Sequence, residues 1–170
     1  YMNEKAVNMM VSICIATHNG ELYIRELLNS ILRQIGNNDE VIISDDGSSD
    51  NTLNIIKSFN DKRIRVFIQD SFIKKSKLSY EDKLKNIYTN FKNTILNANG
   101  DYIFLCDQDD VWIDNKYILV KEKLVDYPIV AHNAVFLSSD MKINEKNKIY
   151  DGVISLKQNE PLTLTISDSF

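Results

Sequence analysis

Three carboxylates, Asp107, Asp109 and Asp110, follow directly on the apolar run Tyr102 to Cys106 in the stretch NGDYIFLCDQDDVW, Asn99 to Trp112. Like charges at that density repel, by roughly 4 kcal/mol for a pair ~4 Å apart at an effective dielectric near 20, so a positive partner is expected beside them. Residues two apart in an extended segment face the same way. Asp107 and Asp109 can therefore aim at a common point while Gln108 turns aside and Asp110 begins a bend toward Trp112. Hard oxygen donors of this kind suit Mg2+ or Mn2+, and Mg2+ typically takes one or two carboxylates and leaves its other positions to water and phosphate. The plainer reading is a solvated acidic turn ahead of a helix, where the helix dipole favours Asp.

Two more polar clusters follow apolar runs: ATHNGE, Ala16 to Glu21, and SDDGSSD, Ser44 to Asp50. The second is, by itself, also an Asp-Gly turn leading to an N-cap at Ser49 or Asp50. His18, beside Asn19 and Gly20, suits a turn or a binding loop better than a metal site, and His132 has no Cys or second His at zinc spacing. Lys74, Lys75 and Lys77 read as a solvated loop, with contact to an anionic ligand as the alternative. Trp112 either packs inside or lines a crevice mouth, where its face would suit a sugar. No GxxxxGK[ST], GxGxxG or serine nucleophile elbow occurs, so any phosphate must be held largely by a metal.

These clusters need elements to hold them. Val11 to Ile15 is a strand-like run, after which Ile24, Leu27, Leu28, Ile31, Leu32 and Ile35 recur at helical spacing. Val41 to Ile43, then Leu53 and Ile56, repeat the strand and helix pattern. Ile64 to Ile68 alternate with charged residues like an edge strand, and Leu84, Ile87, Tyr88, Phe91 and Ile95 mark an amphipathic helix ended by Asn99 and Gly100 as a C-cap. Tyr102 to Cys106 is the next strand, followed by a helix from about Asn115 to Val125, a strand Ile129 to Leu137 and a weaker, β-like excursion Met141 to Ile149. Strands alternating with helices predict a three-layer α/β/α fold with a mainly parallel central sheet, and ligands gather beyond the carboxyl ends of such strands. All three polar clusters sit at that end.

The 170 residues suffice for one domain, residues 1–170, with 1–10 read as a tag remnant and flexible N-terminus. A net charge of −4 argues against a nucleic-acid partner. Cys14 and Cys106 lie in apolar runs and read as reduced core residues. No apolar segment reaches the ~20 residues that span a bilayer, so the expected location is the cytoplasm, with peripheral contact at the inner face of the membrane left open.

VSICIATHNGELYIRELLNSILRQ, DEVIISDDGSSDNTLNII and NGDYIFLCDQDDVW resemble, in order and spacing, the family-two glycosyltransferases of glycosyltransferase A fold, and the last segment resembles the bacterial rhamnosyltransferase-like branch that builds surface polysaccharides. The likeness runs from Val11 to Leu137. It implies a metal-assisted, inverting transfer of sugar from a nucleoside diphosphate donor to a hydroxyl of a glycan or lipid-linked glycan. It makes Thr17, His18, Asn19 and Glu21 part of the loop bordering the nucleotide, gives Asp45 or Asp46 the base or ribose, and puts Asp107 and Gln108 at the donor. Asp107 and Asp109 become the Asp-x-Asp pair for Mn2+ or Mg2+, with Asp110 assisting. His18 stands where the family often has Tyr. The general base is expected beyond Phe170, Asp140 having no motif to support it, so the chain reads as an amino-terminal fragment. The rival readings are a noncatalytic nucleotide-sugar or carbohydrate-binding module and a nucleotidyltransferase, whose glycine-rich basic loop is replaced here by ATHNGE. A phospho-acceptor receiver is weaker still, since Thr17 and His18 occupy the place of its acidic pair.

Overall fold

A computed structural model describes residues 4–69, 78–131, 135–137, 143–148 and 154–156. Lys74, Lys75, Lys77, His132 and Asp140 lie outside the described residues. The chain divides into two compact units, Asn8–Lys116 and a second drawn from Tyr1–Val7 and Tyr117–Phe170. The first contains β1 (Val11–Thr17), α2 (Ile24–Leu32), β2 (Glu40–Asp45), α3 (Thr52–Ser58), β3 (Ile64–Ile68), α4 (Tyr80–Leu96) and β4 (Tyr102–Asp107). The second takes in α1 (Glu4–Asn8) up to Val7 and α5 (Lys116–Lys123) from Tyr117. In it β5 (Ile129–Ala131) pairs antiparallel with β8 (Ile154–Leu156), and β6 (Val135–Leu137) with β7 (Ile143–Lys148). The single strand expected over Ile129 to Leu137 is thus two short ones in different sheets.

In the first unit all strand pairs are parallel, in the order β3-β2-β1-β4. Every residue of β2, and all but one of β1, is buried, which accounts for their unbroken apolar runs: strands covered on both faces have no solvent side to mark with polar residues. β3 is half-exposed, as its alternation with charge predicted. α4 begins in a capping box in which Ser79 Oγ accepts from the Asp82 amide and the Asp82 carboxylate accepts from the Ser79 amide. It ends at Leu96, earlier than expected, with Asn97 as C-cap. Gly100 serves another purpose. A Cβ there would stand 2.6 Å from the Ser12 backbone nitrogen, so only glycine lets the chain enter β4 this close to β1.

Candidate functional site

Register brings the three clusters level. Thr17 lies opposite Asp45, and Ala16 opposite Asp107. Because the order of strands reverses between β1 and β4, their carboxyl ends bound the crevice in which open α/β sheets bind ligands. A cavity of about 590 Å3 lies at this rim. Thr17, His18, Asp46, Asp107, Gln108 and Asp109 line one side of it, and Lys83, Asn86, Ile87, Asn90 and Phe91 of α4 the other.

The first two loops are stitched together. Asp45 is sealed from solvent. Its Oδ1 accepts from Thr17 Oγ1 at 3.0 Å and Ser48 Oγ at 2.5 Å, and its Oδ2 from the Ser48 amide at 2.8 Å. The Asn19 amide donates to Ser48 Oγ (2.8 Å), Asn19 Oδ1 accepts from the Ser49 amide (2.9 Å), and Glu21 Oε2 accepts from the Asn51 amide (2.8 Å). The N-cap of α3 is Asn51, not the Ser49 or Asp50 expected, and Asp50 Oδ1 accepts from the Thr52 amide at 3.0 Å one residue before it. Asn19, Glu21 and Asp45 are therefore used in holding loop to loop, and none of them lines the cavity. Asp46 does line it. The Asp46 carbonyl can only accept, so the 2.8 Å contact from His18 Nδ1 puts the proton on that nitrogen, leaving Nε2 to accept from Asn19 Nδ2 at 3.1 Å.

The acidic loop is different. The Asp110 amide donates to the Asp107 carbonyl at 3.3 Å, closing a turn, so Asp107 and Asp109 reach the cavity across a turn and not through the extended alternation expected from their spacing. Gln108 does not turn aside. Its Oε1 accepts from the His18 amide at 2.9 Å and its Nε2 donates to the His18 carbonyl at 3.2 Å. Partial burial of the Asp107 carboxyl in the cavity wall, with the negative charges of Asp110 and Asp109, raises its pKa above the ordinary carboxylate range. This is the signature of negative charge without sufficient local compensation. One positive side chain does stand behind the loop: Lys116, half-buried, has its ammonium 4.7 Å from the centre of the Trp112 ring and senses the charge of Asp110.

Trp112 is a core residue, 1% exposed, and does not line the cavity. Its indole N–H donates to Cys106 Sγ at 3.2 Å and its amide to Ser30 Oγ at 3.0 Å, while Gln34 Nε2 donates to the Ile113 carbonyl at 3.0 Å. Helix α2 thus fixes the far end of the acidic loop. Burial pushes the Cys106 thiol up to about 12 and the Cys14 thiol up to about 11, so both stay protonated, as the reading of core cysteines requires.

The α4 wall is what the sequence reading missed. Ile87 and Phe91 read as core positions, yet both line the cavity and Ile87 is 52% exposed. Asn90 Nδ2 donates to the Thr17 carbonyl at 3.1 Å and Asn93 Nδ2 to Ser44 Oγ at 3.0 Å. The Oδ1 atoms of Asn86 and Asn90 are buried without a hydrogen-bond partner among the described residues. A signal was present: Asn86, Asn90, Asn93 and Asn97 recur at helical spacing, although Asn is a poor helix former.

The donor set suits a hard divalent cation, since two carboxylates share one cavity wall with uncompensated charge. No group of three or more His, Cys, Asp or Glu residues gathers into a metal site among the described residues, so further ligands would come from water or a bound phosphate. The model of glycosyl transferase family 2 matches residues 12–165. The chain belongs to that family. This family-2 chain is 40% identical over 101 residues to the dTDP-rhamnosyl transferase RfbG of Shigella flexneri, covering 59% of the chain and 33% of that protein. It is 33% identical over 141 residues to the UDP-Glc:alpha-D-GlcNAc-diphosphoundecaprenol beta-1,3-glucosyltransferase WfgD of Escherichia coli, covering 82% of the chain and 49% of that protein. It thus spans a third to a half of the length of these relatives. Among solved structures, TarS 1-349 of S. aureus in complex with UDP-GlcNAc matches with a TM-score of 0.54 at 24% identity, covering 71% of this chain and 32% of that one. The mannosyltransferase PcManGT of Pyrobaculum calidifontis, in complex with GDP-Man and Mn2+, matches with a TM-score of 0.52 at 20% identity, covering 68% and 32%. These matches establish the glycosyltransferase A fold of the parallel sheet.

Proposed function

We infer that the cavity holds the nucleoside diphosphate of a sugar donor, for transfer with inversion to a hydroxyl of a lipid-linked or growing bacterial surface glycan. The observation that carries this reading is the meeting of Asp107 and Asp109 with Asp46 and the His18 loop around one cavity at the switch point of the sheet. Asp46, not the sealed Asp45, is assigned to the nucleoside, because Asp46 borders the cavity and the oxygens of Asp45 are engaged by Thr17 and Ser48. The buried Oδ1 atoms of Asn86 and Asn90 leave acceptors for an N–H or O–H donor of the ligand on the α4 wall. Lys83 adds a cation to that wall, suited to an anionic diphosphate. A divalent cation, Mn2+ or Mg2+, held by Asp107 and Asp109 would supply positive charge to the diphosphate as it leaves.

The relatives support this reading: one is named for a dTDP-rhamnosyl donor, one for UDP-Glc and a diphosphoundecaprenol-linked acceptor, and a protein of like fold holds GDP-Man with Mn2+. No helix among the described residues is long and apolar enough to cross a membrane. Calorimetry of UDP and dTDP with Mn2+ and with EDTA tests the proposal. The expected result is binding that Mn2+ tightens and that loses this enhancement in Asp109→Ala. An affinity that is the same in Mn2+ and in EDTA, or an enhancement that survives this substitution, would refute it.

A further inference from the structure

The β1–β4 ladder ends at Ala16 opposite Asp107, and beyond that point the two main chains part. A side chain continues the ladder. The Gln108 carboxamide offers an acceptor and a donor in one plane, as a peptide group does, and uses both on the same residue: Oε1 on the His18 amide (2.9 Å) and Nε2 on the His18 carbonyl (3.2 Å). Space for it is reserved at a second position. A Cβ on Gly20 would stand 2.6 Å from Gln108 Oε1 and 3.0 Å from its Cδ, so this glycine is required by the close approach of the amide. His18 in turn is joined through Nδ1 to the Asp46 carbonyl. One unbroken chain of contacts therefore runs from the residue between the two cavity carboxylates to the residue assigned to the nucleoside.

We propose that Gln108 is a positioning residue that latches the His18 loop to the acidic loop, holding the nucleoside side and the cation side of the cavity at a fixed separation so that they bind their ligands as one unit. This rests on the donor-site reading above and deepens it. A Gln108→Ala chain keeps all the carboxylates and the His18–Asp46 contact but lets the two loops move independently. Each half then retains its own ligand, and what is lost is the coupling between them. Gln108→Glu retains an acceptor for the His18 amide, cannot donate to the His18 carbonyl when ionised, and adds a charge beside Asp107 and Asp109. Gly20→Ala drives the amide out of its seat with Gln108 itself intact.

The test is a set of titrations of UDP and of dTDP, in Mn2+ and in EDTA, on the wild-type chain, Gln108→Ala and Gly20→Ala, well below each melting temperature. In the wild type Mn2+ tightens nucleotide binding, and in both variants this enhancement falls by about tenfold, within the range of ordinary coupling between sites. Binding in EDTA stays within about twofold of the wild type in Gly20→Ala, which alters no residue that lines the cavity. A role in stability alone would lower the melting temperature and leave the enhancement unchanged, and that result overturns the proposal. If Gln108→Ala fails to fold, Gly20→Ala decides by the same criterion, and Gln108→Glu by a loss of enhancement at least as large. A wild-type chain whose nucleotide affinity ignores Mn2+ would instead sink the donor-site reading and the latch with it.

Discussion

Both rims of the four-stranded sheet carry carboxylates, and Glu40 at one rim and Asp107 at the other live in opposite surroundings. At the amino-terminal rim Asp39 Oδ1 accepts from the Val11 amide at 2.9 Å and Oδ2 from the Gly36 amide at 2.7 Å. Glu40 accepts from Ser12 Oγ at 2.7 Å and the Asn99 amide at 2.6 Å, and pairs with Arg65 Nη1 at 2.9 Å. Burial works to raise the Glu40 pKa, but the hydrogen bonds from Ser12, Asn99 and Arg65 outweigh it and hold the carboxyl below its ordinary value. At the carboxyl-terminal rim Asp107 is raised, by partial burial and by two like charges. A satisfied carboxylate ties strands together, and an uncompensated one facing a cavity is poised for a cation. The Asp39 and Glu40 set stabilises the fold, whereas the carboxyl-terminal rim holds both the satisfied Asp45 and the carboxylate pair proposed to bind a cation.

The largest effect expected from breaking this contrast is in Glu40→Ala. Removing the hub leaves Ser12, Arg65 and the Asn99 amide without their acceptor, at a cost of about 2–4 kcal/mol in urea unfolding. Metal-dependent nucleotide binding per folded molecule should persist. Gly100→Ala comes next, at about 1–3 kcal/mol, because its Cβ would meet backbone atoms of Val11 and Ser12 that have no rotamer to yield.

The pH dependence of stability sharpens the contrast through its sign. The lowered pKa of Glu40 contributes stability that is present above the unfolded value and lost as pH falls through the folded one. The raised pKa of Asp107 contributes in the other sense: full below the unfolded value and lost as pH rises through the folded one. Glu40→Gln should flatten the acid limb of a melting-temperature profile, and Asp107→Asn should remove a small decline just above the ordinary carboxylate range. Smallest of all is the effect of Asp107→Asn on stability near neutral pH, within about 0.5 kcal/mol and upward in sign. A loss as large as that of Glu40→Ala would erase the distinction between the rims.

The strand–loop–helix units were legible because fully covered parallel strands write themselves as apolar runs, Val11 to Ile15 and Val41 to Ile43, and their loops as polar clusters. Asp107 and Asp109 also follow an apolar run, but in β4 only Phe104 and Cys106 are buried while Ile103 and Leu105 are exposed, and it is the register with β1 that sets the two carboxylates at the cavity. What stayed hidden depended on which neighbour a side chain meets. Asp45 and Asp46 are alike in sequence, and only the hydrogen bonds from Thr17 and Ser48 separate them. Gln108 reads as a spacer until the backbone of His18, ninety positions earlier, lies beside it. Gly100 reads as a C-cap until Ser12 is seen against it. The α4 wall was obscured because Ile87 and Phe91 carry a core-like period while facing a cavity, and a hydrophobic period records burial of one face without saying against what.

Paramagnetic broadening of backbone amide signals by Mn2+, in the presence of UDP or dTDP, tests the central claim most directly. Signals of Asp107, Gln108, Asp109 and His18 should vanish first, those of Asp39, Glu40 and Asn99 should stay sharp, and Asp109→Ala should abolish the effect. Broadening centred on the Asp39 and Glu40 rim, or a pattern unchanged by Asp109→Ala, would contradict that claim.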